Sequence, residues 1–133
     1  MRQDEAENLV RAGAEVVTGS ITDYDAILKG MQGVDTAVHL VAVIRERGAA
    51  TFEAINVQGT KNVVRAIIES GGQKLVHTAT LGDNPDPQYA YLNSKWRAAE
   101  AVRASSLDYT KFQPLSVKDL VRCIVKAIAG DGS

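Results

Sequence analysis

The sequence predicts an α/β fold in which helices flank a parallel sheet, within a single domain over residues 1–133. Strand signals and helix signals alternate along the chain, which is the order of a parallel sheet with helical connections. Two of the strand segments are apolar throughout, as in strands that are covered on both faces. No internal repeat, low-complexity segment or linker divides the chain.

Four segments have the composition of strands. They are "AEVVTG" (14–19), "VDTAVHLVAVI" (34–44), "KLVHTAT" (74–80) and, as a further candidate, "SLDYTKF" (106–112). The first is a β-branched run that ends in glycine, and the second and third are the apolar segments. His39 and His77 lie inside these apolar segments, and we interpret both as packing residues because they belong to no recognisable set of metal ligands.

Helices are predicted between the strands. "SITDYDAILKGMQG" (20–33) has Thr22 or Asp23 as its N-cap and Gly30 or Gly33 as its end. The typical function of these residue types at helix ends makes this the clearest helix boundary in the sequence.

Three further helices are predicted over 51–70, 91–104 and 117–129. Helical spacing gives the first of them a core stripe, which consists of Val63, Val64, Ile67 and Ile68. The last helix has six apolar residues on one face, namely Val117, Leu120, Val121, Ile124, Val125 and Ile128. Between them, "LGDNPDPQYAY" reads as a loop because prolines, Asn84 and aspartates interrupt it.

Bulk composition excludes several classes of partner. The net charge of -1 and the pI near 6.1 give no electrostatic basis for binding nucleic acid or an anionic membrane surface. The apolar run "AVHLVAVI" is too short to cross a bilayer, and "MRQDEAENLV" lacks the apolar centre of a secretion signal. A single cysteine, Cys123, excludes an internal disulfide, and we interpret it as a small core residue. We therefore predict a soluble, cytoplasmic protein.

Tyr91 and Lys95 lie four residues apart at the start of a predicted helix, so their side chains share one face. A nearby ammonium lowers the pKa of a phenol, and a phenol tuned in this way can exchange a proton with an alcohol or a carbonyl. Thr78 and Thr80 stand at the carboxyl end of a buried strand, where ligands of open α/β sheets bind. The alternative is that the pair is ordinary helix surface and the threonines reflect β propensity alone.

Six segments in order carry a resemblance to a known family. They are "GSITD", "VDTAVHLVA", "INVQGTKNVVRAI", "KLVHTATLG", "YLNSK" and "SVKDLVRCIVKAI". Together they resemble the extended and atypical short-chain dehydrogenases/reductases, the NAD-dependent epimerase/dehydratase group. The similarity is greatest to the branch that includes NmrA-like proteins and complex I accessory-subunit-like proteins. The resemblance implies a truncated Rossmann-like sheet, doubly wound, with flanking helices.

The resemblance also implies roles for individual residues. Tyr91 and Lys95 match the family's Tyr-x-x-x-Lys pair, and Thr80 matches the catalytic Ser/Thr, with Ala79 as the alternative equivalent. These are the catalytic candidates, and no metal site is implied. The implied contacts with NAD or NADP come from seven residues: Ser20, Ile21, Leu40, Val41, Ala42, Asn56 and Lys95.

The sequence departs from the family in two places. Neither G-x-G-x-x-G nor G-x-x-G-x-x-G occurs, and "GMQG" (30–33) follows a helix, so we interpret it as a helix end. We expect the family's first two strands to be absent, together with the residue that selects NAD over NADP. We also expect most of the substrate lobe after "LDYT" (107–110) to be absent. Either the gene product is pruned, or the sequence joins pieces of a longer protein.

Hypotheses from different classes follow. The first is an NAD(P)-dependent dehydrogenase or epimerase that acts on a nucleotide-sugar or another small alcohol or carbonyl substrate. The second is a non-catalytic remnant of that fold that serves as a self-associating binding or assembly module. A nucleotide-binding regulator of the NmrA-like kind lies between the two.

Loss of two strands predicts how the remaining sheet closes. "AEVVTG" is expected to pair directly with "VDTAVHLV" as a right-handed βαβ unit. Crossovers in one direction then place the helices on one sheet face and leave the other face bare. A bare apolar face favours association with a second copy, so we expect a homodimer or a strand-exchanged pair.

Overall fold

The computed structural model describes residues 2–80, 82–112 and 117–129. In chain order its elements are α1 (Gln3–Arg11), α2 (Tyr24–Gly30), β1 (Thr36–His39), a π-helix (Phe52–Gln58), α3 (Gly59–Glu69), β2 (Lys74–Thr78), α4 (Ala90–Arg103), β3 (Asp108–Phe112) and α5 (Val117–Ala129). Every predicted helix is present close to its expected bounds. Three of the four predicted strand segments contain a strand.

The strands of the described residues form one parallel sheet in the order β1-β2-β3. Thr36 lies beside Lys74, and Lys74 lies beside Asp108, so the three strands end at the same edge. The connections that carry α3 and α4 run in the same direction across the sheet, and right-handed crossovers place both helices on one face. The predicted α/β class is confirmed.

The core lies between this sheet face and the helices α3 and α4. Its buried members are Ala37, Val63, Val64, Ile67, Leu75, Val102 and Leu107. Full burial of a side chain such as Ile67 or Leu75 contributes about 1.5–3 kcal/mol, so α3 is held mainly by its apolar stripe. Ile68 was predicted to belong to that stripe but is 44% exposed, because it lies at the outer edge of the helix face.

The opposite sheet face is not bare, which corrects the expectation from the sequence. Successive strand residues point to opposite faces, so Val76 lies on the face away from Leu75. Val76 is fully buried, and α5 contacts β2. α5 leaves three of its predicted core residues more than half exposed, namely Val121, Val125 and Ile128. Cys123 falls outside the side chains that the structure describes.

The prediction that "AEVVTG" forms a strand paired with β1 is wrong. In the described residues, 14–20 belong to no ladder and are exposed. The end of the segment is fastened elsewhere: a Cβ on Gly19 would lie 2.6 Å from the Cβ of Ala26 in α2. The carbonyl of Ile21 accepts a hydrogen bond from the Asn62 side chain in α3 at 3.0 Å. Pairing with β1 would break these contacts.

Two helical features were not predicted. α1 begins at Gln3, where Arg2 and Glu5 form reciprocal cap contacts, and none of its residues is buried. Phe52–Gln58 is a π-helix, although the sequence predicted one continuous α-helix over 51–70. Thr51 caps it by accepting a hydrogen bond from the Ala54 amide at 3.0 Å. π-Helical turns occur frequently at functional sites, and this one lies against α4.

The ladder of β1 is shorter than the apolar run that predicted it. It ends at His39, and the next two residues, Leu40 and Val41, are 51% and 47% exposed. These residues therefore form the wall of a surface cavity at the carboxyl end of the strand instead of entering the core.

Candidate active site

The Tyr91 hydroxyl lies 3.4 Å from the Thr80 hydroxyl. Tyr91 belongs to the first turn of α4, and Thr80 follows the carboxyl end of β2 by two residues. The short loop 79–89 returns the chain so that α4 begins beside this edge of the sheet. The structure therefore brings together two of the three residues predicted to be catalytic, and the hydroxyl of Thr80 fits this place where Ala79 has none.

Lys95 comes one turn later on the same face of α4, and its side chain is directed to the same edge. Its ammonium donates a hydrogen bond to the carbonyl of Thr78 at 3.4 Å. The residue is only 6% exposed. Burial lowers the pKa of the Lys95 ammonium, and the carboxylate of Asp83 opposes that shift. The three predicted catalytic residues thus meet at the end of β2.

The π-helix positions α4 through three contacts on one side. The Phe52 ring lies 5.7 Å from the Tyr91 ring, with the ring planes tilted by 53°. Arg97 donates to both carboxylate oxygens of Glu53, at 2.6 and 3.1 Å. This pair also lowers the pKa of the Glu53 carboxyl. The sequence analysis missed Phe52 and Glu53, although their spacing relative to Asn56 places all three within one or two helical turns.

Asn56 connects the loop after β1 to α4. Its side-chain oxygen accepts from the Val43 amide at 2.8 Å, and its amide donates to the Val43 carbonyl and to the Ser94 hydroxyl at 3.0 Å each. The Ser94 hydroxyl donates in turn to the Tyr91 carbonyl at 2.6 Å. Asn56 was predicted to contact a cofactor. In this structure it is buried and its amide protons are both used, so it fixes the position of backbone that borders the site.

Two buried histidines lie beneath the site. His39 and His77 are register partners on β1 and β2, and their rings stack with centroids 5.7 Å apart. The Thr60 hydroxyl donates to the Asn56 carbonyl at 2.7 Å, so it accepts from His39 Nε2, which lies at 2.8 Å. His39 is therefore protonated at Nε2.

Both ring nitrogens of His77 are buried without a hydrogen-bond partner among the described residues. Burial lowers the pKa of His39 to about 4 and that of His77 to about 3, and the charge of Lys95 adds to both shifts. The two rings are therefore neutral at pH 7. The interpretation of both as packing residues agrees with this burial.

A cavity of about 570 Å³ opens beside β1, between this strand, α2 and the segment that precedes α2. Four of the residues predicted to contact a cofactor line it, namely Ser20, Ile21, Leu40 and Val41. Ala42 follows them on the exposed loop, whereas Asn56 and Lys95 lie on the α4 side. The predicted cofactor residues thus form two groups, one at the cavity and one at the Tyr91 edge.

In the ranges that the structure describes, no group of three His, Cys, Asp or Glu side chains could hold a metal ion. Within the same ranges, none of the helices has the length and apolar character needed to span a bilayer.

Comparison with known proteins decides the family. A family model described as NAD(P)H-binding matches residues 1–127. The chain belongs to this NAD(P)H-binding family. The resemblance to the short-chain dehydrogenase/reductase superfamily is confirmed by the relatives and solved structures that the chain matches.

An N-acetyl-alpha-D-glucosaminyl-diphospho-ditrans,octacis-undecaprenol 4-epimerase of Escherichia coli O157:H7 is 31% identical over 99 residues, which is 64% of this chain and 30% of the relative. A short-chain dehydrogenase/reductase superfamily protein of Agrobacterium tumefaciens, solved with bound NAD, aligns at a TM-score of 0.62 and 22% identity over 76% of this chain and 37% of that chain. Triphenylmethane reductase of Citrobacter sp., solved with NADP(H), aligns at a TM-score of 0.67 and 17% identity over 97% of this chain and 43% of that chain. The chain spans about a third of the length of the curated relatives it matches first.

Proposed function

We propose that the chain is the nucleotide-binding and proton-transfer portion of an NAD(P)-dependent dehydrogenase or epimerase of the short-chain type. The observation that carries the proposal is the convergence of Tyr91, Lys95 and Thr80 at the carboxyl end of β2. Membership in the NAD(P)H-binding family supports the cofactor, and the choice between NAD and NADP is left to experiment.

The residues present fit the two ends of a dinucleotide. Ser20, Ile21, Leu40 and Val41 line an open cavity at the carboxyl end of β1, which suits an adenosine moiety. Lys95 carries the one ammonium that reaches the edge near Tyr91, and its present acceptor is only a distant backbone carbonyl, so it can turn to ribose hydroxyls. When bound, the nicotinamide ring supplies or accepts a hydride.

The protein's own part is the transfer of a proton. Tyr91 donates its phenolic proton to a carbonyl oxygen of the substrate, or accepts the proton of an alcohol, depending on the direction of the reaction. Thr80 orients the same oxygen by hydrogen bonding, because its hydroxyl lies beside the phenol. The Lys95 charge stabilises the phenolate that remains after donation. Phe52 packs against the Tyr91 ring and so restricts how the ring can turn.

Titration with NADH and NADPH tests this proposal. Nicotinamide fluorescence and the thermal unfolding midpoint are followed together, and saturable binding of either nucleotide is expected. At a hundredfold excess over Kd, binding stabilises the fold by about 2.7 kcal/mol. The Leu40→Asp variant places a charge in the cavity wall and is expected to weaken binding. If neither nucleotide shifts the midpoint or the fluorescence, the proposal is abandoned.

A second candidate function, a self-associating assembly module, is favoured by a different observation. Val121, Val125 and Ile128 form an exposed apolar stripe along α5. A homodimer formed through this stripe would appear in light scattering at micromolar concentration, and Val125→Asp should return it to a monomer. Lys126→Asp is the matched control, because this residue is exposed beside the stripe. A monomeric parent protein would contradict this candidate.

A further inference from the structure

The loop between β1 and the π-helix is held at three points beside the Tyr91 edge. Asn56 binds both backbone groups of Val43. The Phe52 amide donates to the Glu46 carboxylate at 3.0 Å. Farther along, Arg47 and Ala50 exchange two backbone hydrogen bonds, at 3.1 and 2.8 Å, around Gly48 with its positive φ of 52°. The backbone of residues 43–50 is therefore well defined.

This loop places two arginines close to the candidate active site. Arg45 and Arg47 flank Glu46, so their Cα atoms each lie about 3.8 Å from that of the residue that binds the Phe52 amide. Phe52 is itself in contact with the Tyr91 ring. Both arginines are exposed. In the described part of the chain, neither guanidinium has a hydrogen-bond or ion-pair partner.

The acidic groups around this edge are already neutralised. Glu53 is paired with Arg97, and Asp83 is paired with Lys111 at 3.3 Å. Glu46 lies between the two arginines and offsets part of their charge, but it accepts a hydrogen bond from backbone and is held in place by it. The edge near Tyr91 therefore carries an excess of positive charge, although the whole chain has a net charge of -1.

We propose that Arg45 and Arg47 bind a phosphate group of the ligand that occupies the Tyr91 site. A guanidinium presents a planar fork of donors that matches phosphate oxygens in pairs. Two such forks, spaced by one residue on a fixed loop, suit a multiply charged group such as a diphosphate better than a neutral alcohol. The inference rests on the proposed function in one respect: the same ligand presents its reacting oxygen to Tyr91. The phosphate belongs either to a substrate or to the cofactor, and the experiment separates the two.

Binding of uridine diphosphate and of uridine to the full chain tests the proposal. The single tryptophan, Trp96, follows Lys95 in α4, so its fluorescence reports ligands at this edge. Uridine diphosphate is expected to bind at least about tenfold more tightly than uridine, since each charge-assisted pair is worth about 1.4 kcal/mol or more. The variant R45Q/R47Q should lose about tenfold or more of the diphosphate affinity and keep the uridine affinity.

Matched controls separate local binding from net charge. R11Q/R103Q removes the same charge from the end of α1 and from the far end of α4, and it should bind uridine diphosphate like the parent. Equal affinity of the parent and R45Q/R47Q for uridine diphosphate overturns the proposal. An equal loss in R11Q/R103Q also overturns it, because the effect would then reflect net charge alone.

NADH and NADPH identify the source of the phosphate. If R45Q/R47Q weakens NADPH binding and leaves NADH and uridine diphosphate unchanged, the arginines hold the cofactor's additional phosphate. If it weakens uridine diphosphate alone, they hold a substrate phosphate. A chain that binds uridine diphosphate through these arginines but neither nucleotide cofactor keeps this inference and loses the proposed function. The opposite result, cofactor binding that ignores both arginines with no diphosphate binding, loses the inference alone.

Discussion

Asn56 donates a buried hydrogen bond to the hydroxyl of Ser94 at 3.0 Å, and this bond joins the π-helix to the helix that carries Tyr91 and Lys95. The same amide group binds the backbone of Val43. One side chain therefore sets the distance between the loop after β1 and the start of α4. The two groups of predicted cofactor residues lie on either side of this connection.

Replacement of Asn56 by alanine is expected to lower the free energy of unfolding by about 2–4 kcal/mol. The change leaves the Val43 amide and carbonyl and the Ser94 hydroxyl without their partner, and each unsatisfied buried group costs about 1–3 kcal/mol, less where water enters. Urea unfolding measures the loss. Asn62→Ala removes one hydrogen bond, to the Ile21 carbonyl, and should cost about 1 kcal/mol. A loss for Asn56→Ala no greater than for Asn62→Ala would contradict this account of the network.

The two histidines are expected to make stability depend on pH. Their pKa values fall from 6.5 to about 4 for His39 and about 3 for His77 in the folded chain. Below pH 6.5 the unfolded chain therefore binds more protons than the folded one. The stabilisation is complete above this pH and is lost as the pH falls toward 4, by up to about 2.7 kcal/mol per pH unit when both unfolded histidines are charged.

Urea unfolding between about pH 7.5 and 5 measures this slope above the range in which ordinary carboxyls titrate. His77→Gln should reduce the slope by about half. Since the chain has only two histidines, their ring signals in NMR spectra report both pKa values directly. Titration of both rings near pH 6.5 in the folded chain would show that the burial is not as described.

Lys95→Met is expected to stabilise the fold while removing function. Burial disfavours the Lys95 charge, and methionine has a similar length without the charge, so the free energy of unfolding at pH 7 should rise by roughly 1 kcal/mol. The variant should also raise the pKa of His39 and of His77, because the charge that contributes to lowering both is gone. Chemical denaturation and NMR titration give the two readouts. Destabilisation together with unchanged histidine pKa values would place the ammonium elsewhere.

Tyr91→Phe is expected to reduce turnover by about 10²–10⁴-fold and to leave the Kd for NADH nearly unchanged, because only the proton donor is removed. Loss of nicotinamide absorbance with a panel of aldehydes and ketones measures turnover, and fluorescence titration measures binding. Tyr109→Phe, at a partly exposed tyrosine of β3, is the matched control and should behave like the parent. Equal loss of affinity and turnover in Tyr91→Phe would mean that the hydroxyl binds the cofactor and does not do the chemistry.

Thr80 separates orientation from proton transfer. Thr80→Ser keeps a hydroxyl beside Tyr91 and should retain most of the activity, whereas Thr80→Ala should lower kcat/KM by about 10- to 100-fold through the loss of one hydrogen bond to the reacting oxygen. The same turnover assay applies to both variants. If serine and alanine give the same loss, the methyl group rather than the hydroxyl is what matters at this position.

The local signals in the sequence were sufficient for most elements. The N-cap Asp23, the apolar runs of β1 and β2, and the stripe of Val63, Val64 and Ile67 each depend on neighbours within a few residues. The Tyr91–Lys95 spacing likewise placed both side chains on one helix face before any tertiary contact was known. How these residues act on a ligand stays a prediction that the experiments above address.

Tertiary structure decided what periodicity cannot express. "AEVVTG" has the composition of a strand, but a strand needs a partner edge, and the contacts of Gly19 with Ala26 and of Ile21 with α3 hold this segment away from β1. The π-helical form of residues 52–58 and the use of Asn56 as a connector depend on α4, which lies about 40 residues later in the chain. Short-range residue patterns determine which segments are helical or extended; which polar groups meet, and which edges stay open, is set by packing between segments far apart in sequence.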